Sequence, residues 1–391
     1  MNKKILVFII GTVGLYLLST GVSYAAFSFI KPAVKKIAYK PPTPAATKAG
    51  TAKFDQTLPK TESCPLTGQL FSKQQREWWE KHRPLGVMIE NHQEARPQSG
   101  LSNADIIYEA VAEGGITRFL AIFYCQDTDT VGPVRSARTY FLDFISEYGN
   151  FPLYAHVGGA NTPGLANALG QIEDYGWGSY NDLNQFSIGF PTFWRDYERL
   201  GHPVATEHTM YATTQKLWDF AASKRELTNL DKKGVRWEED FKPWKFKEDA
   251  VAAERGIVQS VSFSFWEGYG QYEVKWVYDA QNNLYKRENG GQPHKDKNND
   301  TQLQAKNVVV LLMTERNAND GYDNNLHLLY GTKGTGKALI FQDGKKIEGS
   351  WQKKNRESRM LLTDSKGNEV KFNRGNIWLE ILPTGNTVTA Q

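Results

Sequence analysis

From Ile5 to Ile30 the chain runs for 26 residues without a charge. A stretch that long and apolar has no place on the surface of a water-soluble domain, and a bilayer core takes about 20 apolar residues. It follows Lys3 and Lys4. Residues 5–30 are therefore expected to form one transmembrane helix that anchors the chain. The alternative for residues 1–30 is a cleaved signal segment, since Ser23-Tyr24-Ala25 places small residues at suitable offsets. The apolar run continues past that point to Phe29 and Ile30, which favours an uncleaved anchor. No Cys lies near residue 20 to carry a lipid.

Residues 31–61 are rich in Lys, Pro, Ala and Thr and cannot bury a core, so they read as a disordered tether. The charge is concentrated there. The whole chain carries +4. Residues 1–61 hold nine Lys, no Arg and one acid (Asp55), or +8, so the remainder carries −4. A mildly acidic body argues against a nucleic-acid-binding domain, which needs a basic face. A basic tail beside an apolar run suits an anionic membrane surface. Lys31, Lys35, Lys36 and Lys40 follow the span, and on Lys counts alone they oppose an outside body.

The body divides into residues 62–225, a charged and aromatic linker at 226–256, residues 257–385, and a tail at 386–391. In the first region Ser72 starts a helical stretch, and Leu85 to Glu90 reads as a strand. Asp105–Glu113 and Ile116–Tyr124 flank Gly114-Gly115, a hairpin signal. A helix from Ser102 is the alternative. Phe141, Phe144, Ile145 and Tyr148 recur at helical spacing, so Thr139–Tyr148 is expected as a helix with Ser136 as N-cap and Gly149 beyond its end. Leu153–Val157 is a strand, and Thr162-Pro163 opens a helix to about Tyr175. Thr214–Ala222 closes the region. Strands alternating with helices predict an α/β layered domain. The second region is a smaller β-rich domain, with strands expected at Val261–Trp266, Tyr272–Tyr278, Asn307–Met313, Leu326–Tyr330, Lys337–Gln342 and Ile377–Leu382. Asp343-Gly344 is a hairpin signal. The whole is α+β.

Cation usage is the strongest local signal for function. Between His82 and Gln215 there are seven Arg and no Lys; from Lys216 onward there are twenty Lys and eight Arg. Arg presents a planar fork that grips phosphate or carboxylate at two points, which Lys cannot. Arg135 and Arg138 flank the expected helix start, where backbone N–H groups favour anions. Arg118 lies on the strand before. His156 ends a strand ahead of Gly158-Gly159, the end of an α/β sheet that takes ligands. Arg195 and Arg199 follow. These six residues are read as an anion-binding cleft, with internal ion pairing as the alternative for any single Arg.

Other chemistry is thin. The seven His show no zinc spacing, so no metal is expected. His202 and His208, six apart with Glu207, read as loop residues rather than ligands, and Ser136 lacks the context of a nucleophile. Asp105, Glu109, Glu113 and Asp143 could hold Mg²⁺ only beside a bound pyrophosphate. Cys64 and Cys125 are either unrelated small residues or one disulfide, which an oxidising compartment permits. Gly331 to Ala338 nearly matches a phosphate-binding loop, but Ala338 replaces the Mg²⁺-binding hydroxyl and a strand follows, so no nucleotide is expected.

Glu113-Gly-Gly-Ile-Thr-Arg118, Gly132-Pro-Val-Arg-Ser-Ala-Arg138 and His156-Val-Gly-Gly159 resemble the hallmark run of the YerB-like bacterial envelope proteins. Arg195-Asp196, Arg199 and His208-Thr-Met-Tyr211 resemble that family's following block, though extra residues separate Arg199 from His208. The resemblance covers most of residues 83–382. It implies a membrane-attached extracytoplasmic protein, often a lipoprotein, of unknown activity. This chain has the apolar run in place of a lipid-attachment Cys. On that basis the body is placed outside the cell membrane as a single-pass protein. Its expected partner is an anionic cell-wall glycan or lipid-linked precursor, with no cofactor. A fainter likeness of Pro133-Val-Arg135 to the LytR-CpsA-Psr phosphotransferases would instead imply an Mg²⁺-dependent enzyme. A purely structural envelope partner is the third reading.

Overall fold

The computed structural model describes residues 3–4, 11–19, 51–324 and 326–391. The chain forms two compact units, Met1–Ala45 and Ala46–Gln391. In the first, residues 11–19 are helical and exposed. Among the described residues no helix is long and apolar enough to cross a membrane. The transmembrane helix expected over residues 5–30 is thus unsupported, and most of that run lies outside the described residues, as do residues 31–50 of the tether.

The last part of the expected tether belongs to the body instead. Ala52 N–H donates to Asp127 Oδ2 at 2.7 Å, and Phe54 packs edge-on against Trp78 with ring centroids 5.5 Å apart. Lys60–Ser63 pairs antiparallel with Leu70–Ser72. One aromatic anchor and one strand are enough to dock a segment whose composition reads as solvent-borne.

In the first region the elements are α1 (Lys73–Trp79), β1 (Leu85–Glu90), β2 (Ile106–Glu113), β3 (Ile116–Phe123), α2 (Thr139–Ile145), β4 (Leu153–His156), α3 (Ala168–Asp174), β5 (Asp182–Asn184), β6 (Phe193–Arg195), β7 (Met210–Ala212) and α4 (Thr214–Arg225). Ser72 and Gln75 close a reciprocal cap on α1. Gly114 and Gly115 have φ of 55° and 75°, and they turn β2 into β3 as the double glycine predicts. A 3-10 turn at Leu101–Asn103 replaces the alternative helix from Ser102. The helices are shorter than their periodicity suggests. The one at Thr139 ends at Ile145, its N-cap is Arg138, and Ser136 caps nothing. The segment after Thr162-Pro163 becomes helical only at Ala168, where the Asn167 side chain accepts from Gly170 N–H.

The second region supplies β8 (Ser260–Phe263), β9 (Val274–Asp279), β10 (Leu284–Asn289), β11 (Asn307–Met313), β12 (Gly334–Gln342), β13 (Lys345–Lys353), β14 (Leu361–Asp364) and β15 (Ile377–Pro383). Asp343 and Gly344, both at positive φ, make the expected hairpin between β12 and β13. The near-match to a phosphate-binding loop runs straight into β12, a strand and not a helix.

These strands do not form a separate layer. One ten-stranded sheet has the order β14-β13-β12-β11-β15-β2-β3-β1-β4-β5. The last long strand of the second region, β15, lies parallel to β2 of the first, with Glu380 opposite Glu109. The linker divides the sequence while the sheet runs through both regions. Because β2 and β3 sit at its centre, both of their faces are covered, and nearly every residue is buried. On one face Phe144 of α2 stacks on Tyr108 at 4.8 Å. On the other, the smaller sheet of β8, β9 and β10 brings Trp276 edge-on to Trp378 at 5.2 Å. Glu109 points to this second face. There it meets Arg287, a fully buried guanidinium that also lies 4.7 Å from the Trp378 ring.

Candidate functional site

The site lies where β1 and β4, parallel neighbours, both end. The Gly132–Arg138 segment is laced across those ends. Arg135 N–H donates to Met88 O at 2.9 Å, Val157 N–H donates to Arg135 O at 3.0 Å, and Ala137 N–H donates to Gly158 O at 2.9 Å. Backbone bonds on both sides therefore fix where Arg135 and Arg138 point.

Arg138 turns inward. Its guanidinium ion-pairs with Glu113 and donates to Ala137 O at 2.6 Å. Arg118 shares that carboxylate, with Nη2 at 3.3 Å from Glu113 Oε2 and Nη1 donating to Ser136 O at 3.0 Å. Both arginines are buried. Burial holds the Arg138 guanidinium below its ordinary range. His156 is buried as well. Its Nδ1–H donates to Gly158 O at 2.6 Å, and Asp182 Oδ1 lies 2.5 Å from Nε2. These three residues, expected to touch a ligand, instead hold the loop that shapes the cleft.

Arg135 differs. Its side chain is 26% exposed, and Nε lies 2.9 Å from Glu90 Oε2 without hydrogen-bond alignment. The fork keeps donors to offer. Glu90 is buried and also accepts from His208 Nδ1–H at 2.9 Å. Burial alone would push the Glu90 carboxyl up, but the His208 bond and the Arg135 and Arg118 charges hold it below the ordinary carboxylate range. The same bond to Glu90 raises His208.

Arg135 and Arg195 line one open cleft of about 560 Å³. Arg195 reaches it from the end of β6, where Nη1 donates to Thr206 O and, at 3.2 Å, to Thr209 Oγ1. Ser136, Gly158 and Gly159 form its polar floor, while Val157, Leu169, Phe186 and Met210 form an apolar wall. Gly158 has φ of 56°, and a Cβ there would meet the exposed Phe186 ring at 2.9 Å, so the floor favours glycine. Arg199 is not in the cleft. It donates from Nε to Ser99 Oγ at 2.8 Å, bonds Asn298 of the second region, and lies 5.4 Å from the Tyr211 ring.

The arginine bias thus has two sources. Arg83, Arg96, Arg118, Arg138 and Arg199 are spent on internal partners. Arg135 and Arg195 face the cleft. Of the carboxylates considered for Mg²⁺, Asp105 accepts from Tyr124 and Cys125 N–H, Glu109 pairs with Arg287, and Asp143 pairs with Lys333. Glu113 is taken by the two buried arginines, so none of the four lines the cleft. Sequence reasoning missed Glu90 and Asp182, whose partners are remote in the chain, and set His208 aside as a loop residue. Cys64 and Cys125 are joined in a disulfide. A larger open groove of about 760 Å³ runs past Tyr175, Trp177 and Phe241. Its Arg356 already lies on the Tyr175 face at 3.8 Å, so that cation and ring are engaged with each other.

The fold and site define a class: a mixed α/β, sheet-rich body assembled from two regions of the chain, with a partly cationic cleft at a strand terminus. Comparison with known proteins places it further. Residues 66–228 and 261–379 match the N-terminal and C-terminal domains of a family described as protein of unknown function (DUF3048), and the chain belongs to that family. It is 30% identical over 325 residues to the Bacillus subtilis (strain 168) protein named "Putative lipoprotein YerB", covering 82% of this chain and 86% of that one. The crystal structure of YerB protein from Bacillus subtilis superposes with a TM-score of 0.67 at 27% identity, covering 84% of this chain and all of that one. The resemblance read from the motifs is borne out.

Proposed function

We propose that this chain is a membrane-attached extracytoplasmic protein whose cleft binds an anionic cell-envelope component bearing a phosphate, pyrophosphate or acidic-glycan group. The observation that carries the reading is that Arg135 and Arg195 line one cleft. An apolar wall beside two guanidiniums suits a ligand with a charged head and a greasy neighbour, as a lipid-linked precursor has. The relative's description as a lipoprotein supports the membrane placement. None of the four carboxylates considered for Mg²⁺ lines the cleft, and the acid that does, Glu207, lies near Arg135.

Titration calorimetry with inorganic pyrophosphate tests this. Arg195→Ala should weaken binding roughly ten- to a hundredfold, the about 1.5–3 kcal/mol of a charge-assisted contact. Arg135→Lys should weaken it too, because the charge stays but the fork is lost. Arg195 is the cleaner probe, since removing Arg135 also strips Glu90 of an ion-pair partner. Equal affinity in wild type and both variants, or no binding at all, would favour the structural reading.

A further inference from the structure

Behind Glu90 the fold gathers three side chains that share no local motif. His92 follows the end of β1, Glu94 sits in the 3-10 turn Gln93–Ala95, and His208 ends the turn Thr206–His208. The two imidazoles stack with centroids 4.8 Å apart and 8° between their planes. Glu94 Oε2 lies 3.6 Å from His208 Nε2. One ligating atom from each of the three lies within 4.8 Å of the others.

We propose that His92, Glu94 and His208 form a site for one divalent transition-metal ion of the zinc class. Two imidazoles and one carboxylate are a donor set that such ions take, and three protein ligands leave a coordination position open to water or a ligand. The shell behind the donors is already built. Glu90 Oε2 lies 2.9 Å from His208 Nδ1, so that ring nitrogen is engaged from behind and Nε2 is the one that faces Glu94. A carboxylate behind a ligating imidazole fixes its tautomer and orientation.

The fit requires the His92 ring to leave its stack on His208, because the in-plane nitrogens of parallel rings do not converge on one ion. With bonds of about 2.1 Å, neighbouring donors of a tetrahedral ion stand roughly 3.4 Å apart. The His208–Glu94 separation is close to that already. Glu94 is 55% exposed at its side chain and can swing, whereas His208 is fixed. His92 must turn inward and gives up a long 3.3 Å bond from Glu94 N–H to its Nδ1. Arg135 is a like charge near the site, and Glu90, whose Oε2 contacts both its guanidinium and the His208 ring, offsets it. The site does not depend on what the neighbouring cleft binds.

The test reads the metal directly. Tag-free full chain in detergent, stripped with chelator, is titrated with Zn²⁺ by calorimetry and with Co²⁺ by visible absorption. One equivalent should bind, with a d–d spectrum of a low-coordinate ion. Glu94→Gln and His92→Ala should each weaken Zn²⁺ by about tenfold or more, and Glu90→Gln by about ten- to a hundredfold. Metal-free Glu94→Gln should melt with the wild type, which separates lost ligation from lost folding. Absence of saturable binding in the wild type, or one equivalent bound with unchanged affinity in both Glu94→Gln and His92→Ala, overturns the site.

Discussion

Replacing Arg287 with Met is expected to lower the unfolding free energy by about 3–5 kcal/mol, the cost of stranding a buried charge. Arg287, Glu109 and Glu380 are all fully buried between the central sheet and the smaller one. Arg287 Nη2 pairs with Glu109, its Nε lies 3.8 Å from Glu380 Oε1, and Trp276 Nε1–H donates to that same oxygen at 3.0 Å. Burial and the neighbouring Glu109 push the Glu380 carboxyl well above the ordinary range. Glu380 therefore keeps its proton in the fold and releases it on unfolding. As pH rises above the ordinary carboxylate value, the unfolded state is favoured progressively, until the folded group titrates as well. Glu380→Gln should remove that dependence, flattening the stability-against-pH curve by up to about 1.4 kcal/mol per pH unit in this window. Urea unfolding of Arg287→Met, alone and with Glu109→Gln, checks the pairing. The double variant should recover part of the loss, and a loss under about 1 kcal/mol in the single variant would mean that the network is not ionised as described.

Breaking the Cys64–Cys125 bond is the second large effect. The bridge spans 61 residues and ties the segment ahead of α1 to the residues just past β3. In the chain-entropy account a loop of that length contributes roughly 4 kcal/mol by restricting the unfolded chain. Both cysteines are fully buried, so a polar Ser hydroxyl at position 64 adds to the loss. Cys64→Ser should lower the urea midpoint sharply, and reductant should then change nothing further. A midpoint within error of wild type would show that the covalent link does not limit the unfolded state.

How legible was this in the sequence? Local chemistry carried well. The Gly114-Gly115 and Asp343-Gly344 turns formed as their residue types dictate, because positive φ is a local demand. Pairing between distant strands did not carry. Nothing near Ile106 or Ile377 says that β2 and β15 lie side by side, so two sequence regions read as two bodies when one sheet joins them. The arginine excess was legible as a set, but its division was not. Whether an Arg faces a cleft or a buried carboxylate depends on which glutamate the fold brings up, and Glu113 reaches Arg118 and Arg138 only across a turn and a loop. His208 read as a loop residue because its partners, Glu90 and Glu94, come from the far end of the region.

In the proposed function Arg135 and Arg195 act together on one anion. A crystal of the body grown with millimolar pyrophosphate tests it most directly. Density for the anion is expected within hydrogen-bond distance of both guanidiniums, over the Gly158–Gly159 floor, and is expected to be lost in Arg195→Ala. A cleft holding only water, with Arg135 turned fully onto Glu90, would contradict it.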